Sequence, residues 1–452
     1  MKKLVFLLLL TNSIVCHSQP YEPTWQSLNQ RKIPSWYGNA KFGIFIHWGV
    51  YSVPAWATNS NADGFGSGYA EWYWQRLNAP NLKIHKEFVD FHNKTYGQQF
   101  GYKDFAQQFK CELFNPQQWA SIIKNSGAKY VVLTSKHHDG FCLWQSPQAP
   151  GWNAVETGPK RDVLHDLSAA VRNSGLKMGY YYSLYEWYNE QYKKDVPAYV
   201  NTIMLPQIKN LVTTYKPDIL WTDGEWEQNS TTWQSKETIA WLYNQCVVKD
   251  SIIINDRWGS DARGNITACI QTSEYGSGTI KENAIWEETR GIGESFGYNR
   301  NESLEQYASS KALIHQLIKV VAKGGNLLLN IGPNADGTIP VIMQQRLNDI
   351  GEWLHINGEA IYNTQRWQQA PKIDSATTTF FTQHGSTIYC LPTKWVDKIE
   401  VNVVAKPKNI SLLGCNAAVK FSFKKNKLTI YSPNISPSVN PSLYAWVYKI
   451  EW

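Results

Sequence analysis

Tyr130-Val131-Val132-Leu133-Thr134-Ser135-Lys136-His137-His138-Asp139-Gly140 is the stretch from which the fold can be read. An unbroken β-branched and aliphatic run, too short for a helix, describes a strand buried on both faces. It ends in ammonium, imidazole and carboxylate groups, followed by a glycine. Parallel sheets covered by helices give this pattern, because their reacting groups collect where the strands end.

Outward from this stretch, the same unit recurs from about residue 40 to 356. Candidate strands are Gly43–His47, Tyr130–Thr134, Met178–Tyr182, Ile219–Thr222, Ile252–Asn255, Cys269–Thr272, Ala284–Glu287 and Leu327–Asn330. Helical signals fall between them. Asn115-Pro116 offers an N-cap followed by proline at the first helical position, with Trp119, Ile122 and Ile123 facing inward and Gly127 at the end. Ile208, Leu211, Val212 and Tyr215 keep helical spacing before Pro217, as do Ile239, Leu242, Tyr243 and Cys246. Ser303-x-x-Gln306 fits a capping box ahead of Leu313, Leu317 and Val320, with a stop at Gly324-Gly325. Eight such strands predict an α/β fold, a (β/α)8-like TIM barrel. The barrel is distorted: roughly eighty residues separate the first two strands, and the sixth and seventh are too close to enclose a full helix.

After Asn357-Gly358 the period changes to two, as in Val419-Lys420-Phe421-Ser422-Phe423 and Tyr444-Ala445-Trp446-Val447-Tyr448. This predicts an antiparallel β-sandwich over 368–452, following a barrel domain over 19–367. Few titratable groups cluster in the sandwich, which points to an accessory role.

Residues 1–18 read as an export signal, with Lys2 and Lys3 ahead of the apolar run Leu4 to Leu10 and cleavage near Ser18. That run is too short to span a bilayer, so a periplasmic or secreted protein without membrane insertion is expected. Lipid attachment at Cys16 is disfavoured by the bulky Val15. The other six cysteines, Cys111, Cys142, Cys246, Cys269, Cys390 and Cys415, form no CxxC pair, which argues against zinc ribbons and thioredoxin-like chemistry. Buried thiols are the expectation for most of them.

Net charge is +7 without a long basic run, which gives a nucleic-acid partner little support. The densest basic stretch, Lys424-Lys425-Asn426-Lys427, reads as an exposed hairpin turn. The 21 Trp and 25 Tyr are unusual; flat amphipathic rings fill cores, but they also suit the C–H faces of sugars.

The strand ends supply a short list of reactive groups. They are His47-Trp48-Gly49, Lys136 to Gly140, the neighbourhood of Tyr182, Trp221-Thr222-Asp223-Gly224, Asn255-Asp256-Arg257-Trp258, Thr272-Ser273-Glu274-Tyr275 and the region of Glu287. Asp223, between an indole and a glycine, would point into the barrel mouth, although alone it could serve as a helix N-cap. Glycosidases need two carboxylates. Glu274 is the choice for the second, with Glu287 and Glu288 as rivals. His47, His137 and His138 raise the question of a metal. Neighbouring strand residues face opposite ways and chelate poorly together, so sugar hydroxyls are the better partners and neither metal nor cofactor is expected.

Six blocks then converge on one family: Phe42 to Gly49, Glu71-Trp72-Tyr73, Thr134 to Phe141, Trp221 to Gly224, Asn255 to Gly259, and Asn326-Leu327-Leu328-Leu329-Asn330-Ile331-Gly332-Pro333. In this order they resemble the signature blocks of glycoside hydrolase family 29, the α-L-fucosidases. The resemblance implies a retaining exo-glycosidase that removes terminal α-L-fucose from glycans by double displacement. It places the nucleophile at Asp223. The fucose would be surrounded by His47, Glu71, Trp72, His137, His138, Tyr182, Trp221 and Arg257, with Tyr69 and Phe296 beside them. Glu274 matches the acid/base position of some members, while others carry it nearer Glu287. Asn330-Ile331-Gly332-Pro333 resembles the broad-specificity branch more than the branch restricted to α-1,3/1,4 linkages. Two other classes are a silent sugar-binding protein, which would not turn over an aryl α-L-fucoside, and a metal-dependent hydrolase, which chelation would stop.

Overall fold

The structure is a computed structural model that describes residues 20–452 apart from 65, 277–279 and 282. The expected signal segment 1–18, including Cys16, lies outside the described residues. Eight parallel strands form one curled sheet: β1 Phe42–Ile46, β2 Tyr130–Lys136, β3 Lys177–Ser183, β4 Ile219–Asp223, β5 Ile253–Ile254, β6 Gln271–Glu274, β7 Trp286–Gly291 and β8 Asn326–Ile331. Their spatial order is β5-β4-β3-β2-β1-β8-β7-β6. The two ends meet at one bridge, Asn255 to Ile270, where Ile270 N–H donates to the Ile254 carbonyl at 2.9 Å. The barrel is therefore closed by a single rung.

Alternation along each strand separates two cores. Ile44, Ile46, Val131, Leu133, Leu327 and Leu329 belong to the large core shared with the helices. Phe45, Tyr130, Val132, Tyr181, Trp221 and Leu328 belong to a smaller one inside the barrel. The second is closed from below by Tyr37, on the short helix Ser35–Ala40.

The helices end largely where local chemistry directs. Asn115 caps Pro116–Asn125 by accepting from Gln118 N–H at 3.0 Å. Ser303 and Gln306 do form a capping box, but on a single 3-10 turn; the following helix, Ser310–Ala322, is capped by Ser309 instead. The sixth and seventh strands run about two residues later than expected. Glu287 consequently lies near the start of β7 and inside the barrel, where it accepts from Tyr37 and Tyr130 hydroxyls, both at 2.5 Å, and Trp221 Nε1 at 3.1 Å. No helix is found among the described residues of 275–285, between β6 and β7.

Beyond the barrel, two antiparallel sheets follow. The first has strand order β13-β16-β11-β10-β9 and comprises β9 Gln365–Arg366, β10 Thr379–His384, β11 Thr387–Pro392, β13 Asn409–Leu412 and β16 Tyr448–Glu451. The second consists of β12 Lys398–Asn402, β14 Lys420–Lys424 and β15 Lys427–Tyr431. Their inner faces share one core that includes Phe381, Leu428 and Ile450. β9 begins just ahead of residue 368. Residues 444–447, expected in a strand, precede β16 and are not part of it. The basic stretch at 424–427 is the β14–β15 hairpin turn, with Lys425 and Asn426 at φ 50° and 61°. The six cysteines from Cys111 to Cys415 are free thiols, five of them buried.

Helices Pro116–Asn125 and Val341–Asn357 approach closely at Gly351, where an added Cβ would lie 2.0 Å from the Asn125 carbonyl oxygen. Alanine there gains about 1 kcal/mol of helix propensity but overpacks a rigid backbone contact, which costs about 1–3 kcal/mol. Gly351→Ala should therefore lower the thermal midpoint in calorimetry; a raised midpoint would show that the helices can part freely.

Candidate active site

At the C-terminal ends of the strands, the barrel opens into a pocket of about 380 Å³. β4 brings Asp223 to its edge. The next residue, Gly224, has φ +74°, and a Cβ there would meet Tyr185 backbone nitrogen at 2.9 Å, so the chain can turn away only without a side chain. Arg257, just beyond β5, is 5% exposed and reaches across the mouth. Its Nη1 donates to Asp223 Oδ1 at 2.7 Å and its Nη2 to Glu274 Oε2 at 3.2 Å. One guanidinium thus joins the two carboxylates named from the sequence. Arg257 is itself held by Nε donation to Thr272 Oγ1 at 3.1 Å. Tyr69 donates to Glu274 Oε1 at 3.3 Å.

Burial alone would raise the Asp223 carboxyl, but the Arg257 guanidinium, His138 and the Tyr181 hydroxyl bring it below the ordinary aspartate value. Asp223 is therefore an anion across the neutral and mildly acidic range. The three histidines go the other way. Burial pulls His47 and His138 down to about 4, and His137 well below its usual value. All three are neutral imidazoles at neutral pH.

Their orientation follows from their partners. Asn330 Nδ2 donates to the Phe296 carbonyl at 2.7 Å, so its Oδ1 is the acceptor for His47 Nδ1–H at 2.7 Å. Ser183 Oγ donates to the Tyr185 carbonyl at 2.5 Å and accepts from His138 Nδ1–H at 2.6 Å. Each ring thus keeps an unprotonated Nε2. His138 Nε2 stands 3.7 Å from Asp223 Oδ2. His137 Nδ1 is buried with no hydrogen-bond partner among the described residues, which leaves it available to a bound hydroxyl.

His47, Glu71, Trp72, His137, His138, Trp221, Arg257, Phe296, Asp223 and Glu274 all line this pocket, as does Tyr69. Tyr182 does not. Its hydroxyl donates to Gln207 Oε1 at 2.8 Å on the helix side of the sheet, and Lys136 Nζ lies over its ring. Tyr181, one residue earlier, takes the inward position and donates to Asp223 Oδ2 at 2.9 Å. The register explains the exchange: Tyr181 pairs with Trp221 and Tyr182 with Thr222. The expectation that His137 and His138 face opposite ways also fails. β2 ends at Lys136 after a register shift, alternation stops there, and the two rings sit 4.2 Å apart in the same pocket.

Glu287 and Glu288 are absent from the pocket lining, the former below its floor and the latter on the outer face of β7. Trp226 was not singled out from the sequence. It is 43% exposed at the mouth, with its ring within 22° of the Trp72 plane at 6.4 Å. Its position three residues after Asp223 was a usable signal.

The comparisons with known proteins agree with this geometry. The sequence profile of the α-L-fucosidase family matches residues 8–359. The chain belongs to this family, glycoside hydrolase family 29. It is 40% identical to an α-L-fucosidase of Dictyostelium discoideum, over 98% of each chain. Human tissue α-L-fucosidase is 37% identical, over 99% of this chain and 96% of that one. Among solved structures, the Thermotoga maritima α-fucosidase superposes with a TM-score of 0.81 at 37% identity, over 95% of this chain and all of the other. As a family 29 member the protein is a glycoside hydrolase.

Glu71 carries a testable consequence. It is 2% exposed, its Oε2 accepts from Gly297 N–H at 2.8 Å and Ser295 Oγ at 3.2 Å, and burial pushes its carboxyl up to about 7 from 4.5. Between these values the folded chain binds the proton and the unfolded chain does not, so stability falls as pH rises through that window. Glu71→Gln cannot ionise. Its melting point should gain on the wild type from pH 4.5 to 7 and hold that gain above, worth up to about 3 kcal/mol, whereas a gap independent of pH would remove the assigned cause.

Proposed function

We propose that this fucosidase is a retaining exo-enzyme in which Asp223 attacks the anomeric carbon while Glu274 protonates the departing oxygen. An ester forms between Asp223 and the sugar; Glu274 then takes a proton from water, which attacks the same carbon and restores the starting configuration. The bridging of both carboxylates by Arg257 is the observation that carries this reading. It gathers two acids at one pocket edge, as double displacement requires, and holds Asp223 as the anion an attacker must be. In the oxocarbenium-like transition state Asp223 still carries part of its negative charge, and donation from Arg257 and Tyr181 keeps that carboxylate aimed at the anomeric carbon.

The remaining lining suits terminal fucose. His47, His137, His138 and Glu71 present neutral or hydrogen-bonding edges to its hydroxyls, and Trp221 and Phe296 face its methyl group. Trp72 and the exposed Trp226 offer rings to the sugar beyond the scissile bond. A Thermotoga maritima relative has been solved with fucose and with a mechanism-based inhibitor, which supports both the sugar and a covalent course. The substrate is thus a fucosylated glycan or oligosaccharide, processed after export under the signal at 1–18.

Asp223→Ala should reduce turnover of an aryl α-L-fucoside by at least about a thousandfold, as loss of a nucleophile does elsewhere. Wild-type turnover in that variant would end the assignment. Glu274→Ala should lose about 10²–10⁴ on natural linkages, where a general acid is needed, and far less on activated aryl leaving groups. Glu287→Ala should show no such dependence on the leaving group. Proton NMR of the wild-type reaction should show α-L-fucose as the first anomer; β-L-fucose first would mean inversion.

A further inference from the structure

Where the barrel lacks a covering helix, the outer face of β6 and β7 opens into a cavity of about 980 Å³, larger than the fucose pocket. Ser273, Glu288 and Arg290 point into it from the strands. Its other walls include residues 38–41, described residues of 275–285, the helix Ser310–Ala322 and the segment 364–373, which leads into the C-terminal sheet. Lys41, Arg290, Lys319, Lys323, Arg366 and Lys372 line it, and Glu288 is the sole carboxylate among its described lining residues.

Lys41 lacks what a buried charge normally has, and Arg290, which is half-buried, has it only loosely. Lys41 is 4% exposed, no described residue pairs with its ammonium, and burial alone lowers its pKa to about 8. Arg290 Nε is buried with no hydrogen-bond acceptor, and Glu288 Oε1 stands 3.7 Å from it. Lys319 and Lys323, one helical turn apart, repel each other. Cations in the last turn of a helix are ordinarily explained by the helix dipole. That account covers Lys319 and Lys323 but neither Lys41, which precedes β1, nor Arg290 on β7. Half-enclosed cations in such excess over carboxylates are unfavourable until an anion joins them.

We propose that this groove is a second carbohydrate-binding site that takes an acidic glycan chain, bearing sulfate esters or carboxylates. It follows the length of β7, about 20 Å for a strand of six residues, which suits a chain better than a single ion. β6 sends Glu274 into the fucose pocket and Ser273 into the groove, so the two sites share a wall. The site would hold an acidic glycan against the enzyme while its fucosylated ends are trimmed. Only the choice of carbohydrate as carrier of the charge rests on the glycosidase reading.

Calorimetric titration of the full-length protein tests this with a fucose-free sulfated glycosaminoglycan tetrasaccharide, its desulfated form that retains carboxylates, and a neutral tetrasaccharide. At least one acidic sugar should bind with an affinity that falls as salt is raised. That affinity should drop about tenfold or more in the double variant Lys323→Glu, Lys372→Glu, as expected for reversal of two partly screened charges. Lys41→Met should weaken it as well. Comparison of the sulfated and carboxylate-only sugars identifies the anion. Turnover of a small aryl α-L-fucoside should be unchanged in the double variant, which separates failure here from failure of the catalytic assignment. Equal affinity in wild type and double variant, equal binding of the neutral sugar, or equally tight binding of a thymidine oligonucleotide of matched charge would each overturn the proposal.

Discussion

A single guanidinium organises the mouth of this barrel. Arg257 is buried, and a buried cation is unfavourable unless it is paired and fully hydrogen-bonded. Its nitrogens are occupied by Asp223 on β4 and by Glu274 and Thr272 on β6. The planar fork fixes where both carboxylates can stand, which a lysine with its single charged atom could not do. The ready ionisation of Asp223 and the placement of Glu274 both follow from satisfying this one charge. The neutral histidines belong to the same balance: a further cation beside Arg257 in so dry a pocket would be repelled.

Below the pocket the barrel solves a different problem. Glu287 is fully buried, and burial raises its carboxyl, yet Tyr37, Tyr130 and Trp221 all donate to it. Trp221 thereby connects the two levels, with its indole nitrogen on Glu287 and its ring beneath the Arg257 guanidinium at 4.7 Å. The floor of the pocket is thus tied to the packed interior, and the Trp221 ring that lines it is set by the hydrogen bond beneath it.

Much of this was legible in the sequence where the physics is local. β2, β4 and β8 are covered by helices outside and packed inside, so each carries an unbroken apolar run, Val131–Leu133, Ile219–Trp221 and Leu327–Leu329, and the strands stand out. β6 and β7 were placed two residues early because no helix among the described residues packs directly on their outer face. Their outward positions carry Ser273, Glu288 and Arg290, and the apolar pattern that marks a buried strand is lost. Glu287 was drawn towards the rim by the same shift. In β3 three consecutive tyrosines hide the alternation, and only pairing with Trp221 shows that Tyr181 rather than Tyr182 faces inward. The arrangement of His137 and His138 depended on where β2 stops, which a run of polar residues does not reveal. Asp223, Arg257 and Glu274 were readable because charged side chains follow apolar strands there.

The closure of the barrel at one rung has a bearing on how such a site can change. Arg257 and Glu274 flank the β5–β6 junction, where backbone pairing is thinnest. Side chains do the fastening instead: Asp256 accepts from both the backbone and the hydroxyl of Thr272, at 3.2 and 2.7 Å. The distance between Asp223 and Glu274 is therefore governed by a soft seam rather than by the rigid ladder that positions Asp223. A substitution at this seam can shift Glu274 relative to Asp223 while the remaining strands keep their register, so this side of the pocket is free to diverge ahead of its scaffold.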